Sequence, residues 1–349
     1  MLIKDIKDRL CGQAYKKIKR RIDNFEASKA IVRELKASSN IKKDSETGFW
    51  INWYADFIES LPGEYFEALK LQRYIPKQFL PEKHKKALRD FFIVPINEAL
   101  QKITKDNRLI LDEVVLPSLN SKSEAEIYFP CLIDSLIAYL MRDLDKNSLI
   151  NLIDHVPFNT EGIYEYKNVI LESGDIVIDA GACMGEFSAL AGIKGCRAYA
   201  FEPIPQIVDL YLQKTAEWNP NITICKYALA DKQGEFELDY TPVALVGSSS
   251  LAEGYGDTIK VRCKQIDLDT FVNENNLPRV DFIKADIEGA ERLLLTGARN
   301  VLKEFAPKIS ICTYHLPDDP LVLKSLILDA NPNYIIEEKW MKMYAHVPK

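Results

Sequence analysis

The sequence predicts an α/β protein: a mostly parallel, doubly wound sheet over residues 151–349, preceded by a mainly α-helical domain over 1–150. Three observations carry this. After about residue 160, short β-rich runs alternate with helical ones, the pattern of βαβ units with helices on both faces of a parallel sheet. Before it, apolar residues recur at helical spacing over long stretches. The charge balance also changes, from 26 Lys/Arg against 22 Asp/Glu in residues 1–150 to 19 against 29 in the remainder. A chain of 349 residues with 47% hydrophobic content can bury the core that one large or two medium domains require.

Taken in order, Leu2, Ile6, Leu10, Ile18, Ile22 and Phe25 mark an amphipathic helix to about residue 35. Its lysines and arginines would suit an anionic membrane surface or a partner, but Asp5, Asp8, Asp23 and Glu26 interrupt the basic face and favour packing on its own domain. Ser38–Gly48 reads as a loop, and the aromatic run FWINWYADFIESL after it as a buried helix. Helical spacing continues through Glu64–Tyr74, Glu82–Thr104 with Pro95 inside it, and Glu124–Leu144. The β-rich runs are DIVIDA, CRAYAFE, ITICKYAL, TIKVRCKQI, VDFIKADI, KISICTY and YIIEEKW, with helical pieces at Ile204–Trp218, Asp267–Asn275 and Ala290–Lys303 between them.

Several classes drop out. The seven cysteines are scattered without a C-x-x-C pair, so neither a disulfide framework nor a zinc site is expected, and a reducing cytoplasm fits best. MLIKDIKDRL lacks the apolar core of a signal peptide, and the most apolar later run, Ile127–Met141, carries Pro130 and Asp134 and is too short to span a bilayer. No transmembrane segment is expected.

In open parallel sheets ligands bind beyond the carboxyl ends of the strands. There the first strand runs into VIDAGACMGEFS: Asp179 at the strand end, Gly181 for a sharp turn, and Gly185 at the start of a helix whose free N–H groups would face an anionic group. The spacing is D-x-G-x-x-x-G, not the G-x-G-x-x-G of a dinucleotide fold, which disfavours a nicotinamide-dependent oxidoreductase. An acid at this corner repels a pyrophosphate and attracts an ammonium, which suits S-adenosylmethionine. Glu202 in FEP ends the second strand, where a carboxylate can accept hydrogen bonds from ribose hydroxyls. In KYALAD, Ala228 leaves room for an adenine and Asp231 lies near its amine. In VDFIKADIEGAERLLL, Asp286, Glu288 and Glu291 crowd a strand end and helix start, which calls for a positive partner.

The set VIDAGACMGEFS, FEPIP, ALAD, SSSL and DIEGAE resembles the FkbM family of S-adenosylmethionine-dependent methyltransferases over about residues 160–349. The resemblance implies a Rossmann-like class I methyltransferase fold and O-methylation of a hydroxyl on a sugar, glycan or related metabolite. It implies that Asp179, Gly181, Ala182, Gly185, Glu202, Pro203, Ala228 and Asp231 bind the donor. Cys183 stands where family members commonly carry Asn.

Methyl transfer is an in-line displacement, and a hydroxyl acceptor needs a base. Asp286 after the fourth strand and His315 after the fifth, with Glu288 beside them, are the catalytic candidates. A divalent cation on Asp286, Glu288 and His315 could replace the base, but acidic helix starts are common and no metal is expected. The loop Leu245–Asp257 reads as an acceptor-side lid or an idle surface loop. The expected partner is a small-molecule or glycan acceptor, not nucleic acid, and the helical domain is expected to recognise that acceptor or mediate self-association. A scaffold that binds the donor without turnover is the remaining alternative.

Overall fold

The computed structural model describes residues 45–60, 81–90, 101–118 apart from 112, 136–154, 162–240 and 259–348, with isolated positions between them. The expected amino-terminal amphipathic helix and the loop Leu245–Asp257 lie essentially outside the described residues. Among those described, no helix is long and apolar enough to cross a membrane.

The chain forms two compact units, residues 1–102 with 138–160, and 103–137 with 161–349. The first contains α1 (Glu46–Ser60), α2 (Glu82–Asp90) and α3 (Lys146–Asp154). The aromatic run is core, as its spacing predicts: Trp50, Trp53 and Tyr54 are buried on α1, and the two indoles meet edge to face at 5.5 Å. Asp145 starts α3 by accepting the backbone N–H groups of Asn147 and Ser148, each at 3.0 Å.

The second unit opens with an antiparallel meander, β1 (Thr104–Lys105), β2 (Arg108–Leu111) and β3 (Val114–Pro117). The second unit thus draws residues 103–137 from before residue 150. Asp106 and Asn107 adopt left-handed φ of 52° and 60°, which makes a tight hairpin turn, and β2 and β3 then alternate buried and half-buried residues.

The main sheet has the order β12-β13-β11-β10-β4-β5-β6, built from β4 (Ile176–Ala180), β5 (Arg197–Phe201), β6 (Ile222–Cys225), β10 (Phe282–Ala285), β11 (Lys308–Cys312), β12 (Ile335–Lys339) and β13 (Lys342–His346). Strands β6, β5, β4, β10 and β11 are parallel, and β13 runs against both of its neighbours. This is the doubly wound, Rossmann-like arrangement expected. Every residue of β4 and β10 is buried, as in strands covered on both faces. Strand order reverses between β4 and β10, so the crevice that such sheets use for ligands opens at their carboxyl ends.

Helix α4 (Glu186–Ile193) follows β4, and the helical stretch 205–218, α5, follows β5 with a π-helical turn at Val208–Leu212. The meander joins this unit through α5: Asn219 Nδ2 donates to the Val115 carbonyl at 3.1 Å, and the Arg108 guanidinium lies over the Trp218 ring. Helices α6 (Leu268–Glu274), α7 (Glu291–Thr296), α8 (Arg299–Glu304) and α9 (Asp319–Ala330) complete the unit.

Two expectations change. The run TIKVRCKQI is not part of the main sheet: as β9 (Ile259–Asp267) it pairs with β7 (Ala228–Ala230) and β8 (Gly234–Tyr240) in a separate three-stranded sheet. The single helix expected over Ala290–Lys303 is broken into α7 and α8 at Gly297, where a Cβ would stand 2.1 Å from the Ala230 carbonyl oxygen.

Candidate active site

Three strand ends are tied together at the switch point. At the end of β4, Asp179 is fully buried. Its Oδ2 accepts the Ser188 hydroxyl at 2.7 Å and its Oδ1 lies 3.0 Å from Lys284 Nζ on β10. Lys284 also donates to the Gly181 carbonyl at 2.7 Å and the Ala180 carbonyl at 3.3 Å, so one ammonium holds both the acid and the turn that follows it. Burial alone would push Lys284 down, but the carboxylates of Asp179, Asp286 and Glu186 outweigh it and hold the ammonium above its ordinary range.

The turn glycines are required by protein neighbours. Gly181 has φ 74°, and a Cβ there would sit 2.0 Å from the Asp286 carbonyl oxygen. Gly185, at φ 88°, would place a Cβ 2.8 Å from Leu212 and 3.0 Å from Thr215 on α5. Between them, Ala182 is buried, and Cys183 takes a left-handed φ of 50° that aims its N–H at Glu202 Oε2, 3.1 Å away.

Glu202, just past β5, is buried and also accepts the Ile204 N–H at 2.9 Å through Oε1. Desolvation pushes its carboxyl up to about 7, although both backbone donors favour the charged form. Pro203 beside it is half-buried. Gln206, at the start of α5, has a buried Oε1 that lacks a hydrogen-bond partner. Ala228 and Asp231 belong to the smaller sheet and its following turn, where the first is half-buried and the second exposed.

Beyond β10, the acids find the positive partners their crowding calls for. Asp286 Oδ2 accepts the Tyr164 hydroxyl at 2.8 Å, and Oδ1 lies 3.4 Å from the Tyr314 hydroxyl and 3.5 Å from His315 Nε2. Burial raises this carboxyl, but Lys284, Lys342 and His315 outweigh it and hold it below the usual range. Glu291 is buried and bridges the turn before α7, accepting the N–H groups of Ile287 and Gly289, each at 2.9 Å. Its Oε1 also stands 2.9 Å from His315 Nδ1, while Glu288, at φ 56°, puts Oε2 3.6 Å from Nε2. Burial pulls the imidazole down, but Glu291, Asp286 and Glu288 together raise it to about 9.

Thus Asp286, Glu288 and His315 form one group, and Asp179, Gly181, Ala182, Gly185 and Glu202 form the turn region next to it. Sequence reasoning missed Lys284, Lys342, Tyr164 and Tyr314. The two lysines left a signal, since each is a charge inside an apolar strand (VDFIKADI, WMKMYAH). Both flank Tyr164, with Nζ 5.3 Å and 4.3 Å from its ring centroid.

Residues 179–334 match the family described as the methyltransferase FkbM domain. A hexuronic acid methyltransferase, AglP of Haloferax volcanii, is 25% identical over 159 residues, which are 46% of this chain and 64% of that protein. The match therefore spans less than two thirds of that relative's length. Among solved structures, the methyltransferase FkbM from Methylobacillus flagellatus KT has 18% identity and a TM-score of 0.39, covering 74% of this chain and 59% of its own. A SAM-dependent methyltransferase from Aquifex aeolicus has 14% identity and a TM-score of 0.31, covering 52% and 86%.

Proposed function

On the premise that residues 179–334 form a methyltransferase FkbM domain, we propose that the protein transfers a methyl group from S-adenosylmethionine to a hydroxyl of a sugar, glycan or related metabolite. The observation that carries the reading is the joining of three strand ends. Lys284 links Asp179 to the Gly181 carbonyl, Gly181 lies under Asp286, and Cys183 N–H meets Glu202. Donor-side and acceptor-side groups are thereby held on one rigid frame, as alignment for an in-line displacement requires.

The residues fit the donor. Glu202 keeps unused lone pairs for ribose hydroxyls after its two backbone bonds. The orphaned Gln206 Oε1 is an open acceptor for a ligand N–H near the same strand end. Asp179 is closed off by Lys284 and Ser188, so we assign it to fixing the turn, through which it bears on the donor. Bound there, S-adenosylmethionine would supply an electrophilic sulfonium methyl, whose carbon bonds to the acceptor oxygen as the C–S bond breaks and the thioether of S-adenosylhomocysteine leaves.

Asp286 is the carboxylate assigned to take the hydroxyl proton, because its side chain is 21% exposed whereas that of His315 is 8% exposed. The Tyr164 hydroxyl fixes its orientation, and Glu288 lines the rim. The AglP name supports a sugar acid as the acceptor class.

The test is calorimetry with S-adenosylmethionine, S-adenosylhomocysteine and NAD, followed by product analysis on hexuronic-acid-bearing glycans. Micromolar binding of the first two and a methyl group stable to mild alkali are expected. Binding of NAD alone overturns the donor, and an alkali-labile methyl ester overturns the hydroxyl.

A further inference from the structure

Among the described residues near the switch point, the His315 imidazole holds a buried ring nitrogen without a hydrogen-bond partner. Its side chain is 8% exposed; Nδ1 stands 2.9 Å from Glu291 Oε1, whereas the buried Nε2 has no hydrogen-bond partner. Nε2 faces Asp286 Oδ1 at 3.5 Å and Glu288 Oε2 at 3.6 Å. Those separations exceed the roughly 2.7–3.2 Å of an N–H···O bond. They come close to the spacing of donors that share one ion: with ligand distances of about 2.1 Å, neighbouring donors stand roughly 3.0–3.4 Å apart in octahedral or tetrahedral geometry.

We propose that His315 Nε2, Asp286 and Glu288 form a divalent-cation site at the carboxyl ends of β10 and β11, with Glu291 behind the imidazole as the group that orients it. Asp286, Glu291 and His315 already bring donor atoms within 4.8 Å of one another. Glu288, with a side chain 31% exposed, is the ligand with room to swing in. A carboxylate set against the far nitrogen of a ligating histidine is the usual device for fixing ring orientation. One imidazole with carboxylates selects hard to borderline ions such as Mn²⁺, Mg²⁺ or Zn²⁺, not soft ones. The cation's role, polarising the acceptor hydroxyl, rests on the methyl-transfer reading; its binding does not.

The full chain, stripped with a chelator, is titrated with Mn²⁺ while free ion is followed by electron paramagnetic resonance. Saturable uptake of one ion per chain is expected, weakened more than about tenfold in both His315→Ala and Glu288→Gln. Absence of saturable uptake by the unaltered chain overturns the site, as does uptake that neither variant changes. Should His315→Ala lose its circular dichroism, Glu288→Gln on the rim decides. Calorimetry with S-adenosylmethionine on the same stripped protein separates the two readings: donor binding without Mn²⁺ uptake refutes the cation alone, and Mn²⁺ uptake without donor binding refutes the donor alone.

Discussion

Replacing Lys284 by Met should be the most damaging single change at the switch point. The ammonium lies 3.0 Å from the fully buried Asp179 and donates to two carbonyls, at 2.7 Å and 3.3 Å. Methionine fills a similar volume but leaves an unpaired carboxylate inside the sheet. Breaking a buried pair by removing one partner destabilises by about 3–5 kcal/mol, because the remaining charge is uncompensated. For a unit of this size each kcal/mol moves the melting temperature by roughly 2–4 °C, so a fall of about 10 °C is expected. Thermal and urea unfolding of the variant measure it, and Lys284→Met with Asp179→Asn supplies the decisive arm. Neutralising the stranded acid should recover at least about 1 kcal/mol, since well-packed replacements of both partners are nearly neutral. A single-variant loss below about 1 kcal/mol, or a double variant as unstable as the sum of the singles, would refute the pairing argument.

Three further outcomes follow from the same geometry. Glu202 carries a folded carboxyl near 7 against an ordinary 4.5, so the native state holds a proton the unfolded chain has lost between those values. Stability should therefore decline by up to about 3 kcal/mol as pH rises from 4.5 to 7, and Glu202→Gln should flatten that slope in urea titrations. Gly181→Ala should destabilise by more than about 2 kcal/mol in the same assay, because its Cβ meets the Asp286 carbonyl oxygen at 2.0 Å in a left-handed turn; an unchanged midpoint contradicts that contact. Asp286→Asn should lower single-turnover methyl transfer by about 10²-fold or more while calorimetric donor affinity stays within about threefold; full activity in the variant removes Asp286 from the chemistry.

Much of the parallel core was legible because its strands are continuous apolar runs, and the acids at their ends break those runs abruptly. Asp179, Glu202 and Asp286 all declare themselves in that way. The diversion of β9 was also written in the chain. TIKVRCKQI alternates apolar and polar residues, and the strand alternates buried and exposed along much of its length, whereas β4 is buried throughout. Partnerships across strands were not legible. That Lys284 faces Asp179 depends on the register of β10 against β4, and that Tyr164 reaches Asp286 depends on a loop remote in sequence. The glycines carried the right positions for another reason. Their freedom answers the Asp286 carbonyl and α5 as neighbours, which local sequence does not specify.

A crystal structure with S-adenosylhomocysteine decides where the donor sits. Ribose hydroxyls within hydrogen-bond distance of Glu202 and the sulfur turned toward Asp286, above the Gly181 turn, are expected. Product seated away from the carboxyl ends of β4, β5 and β10, or a ribose that does not touch Glu202, would contradict that placement.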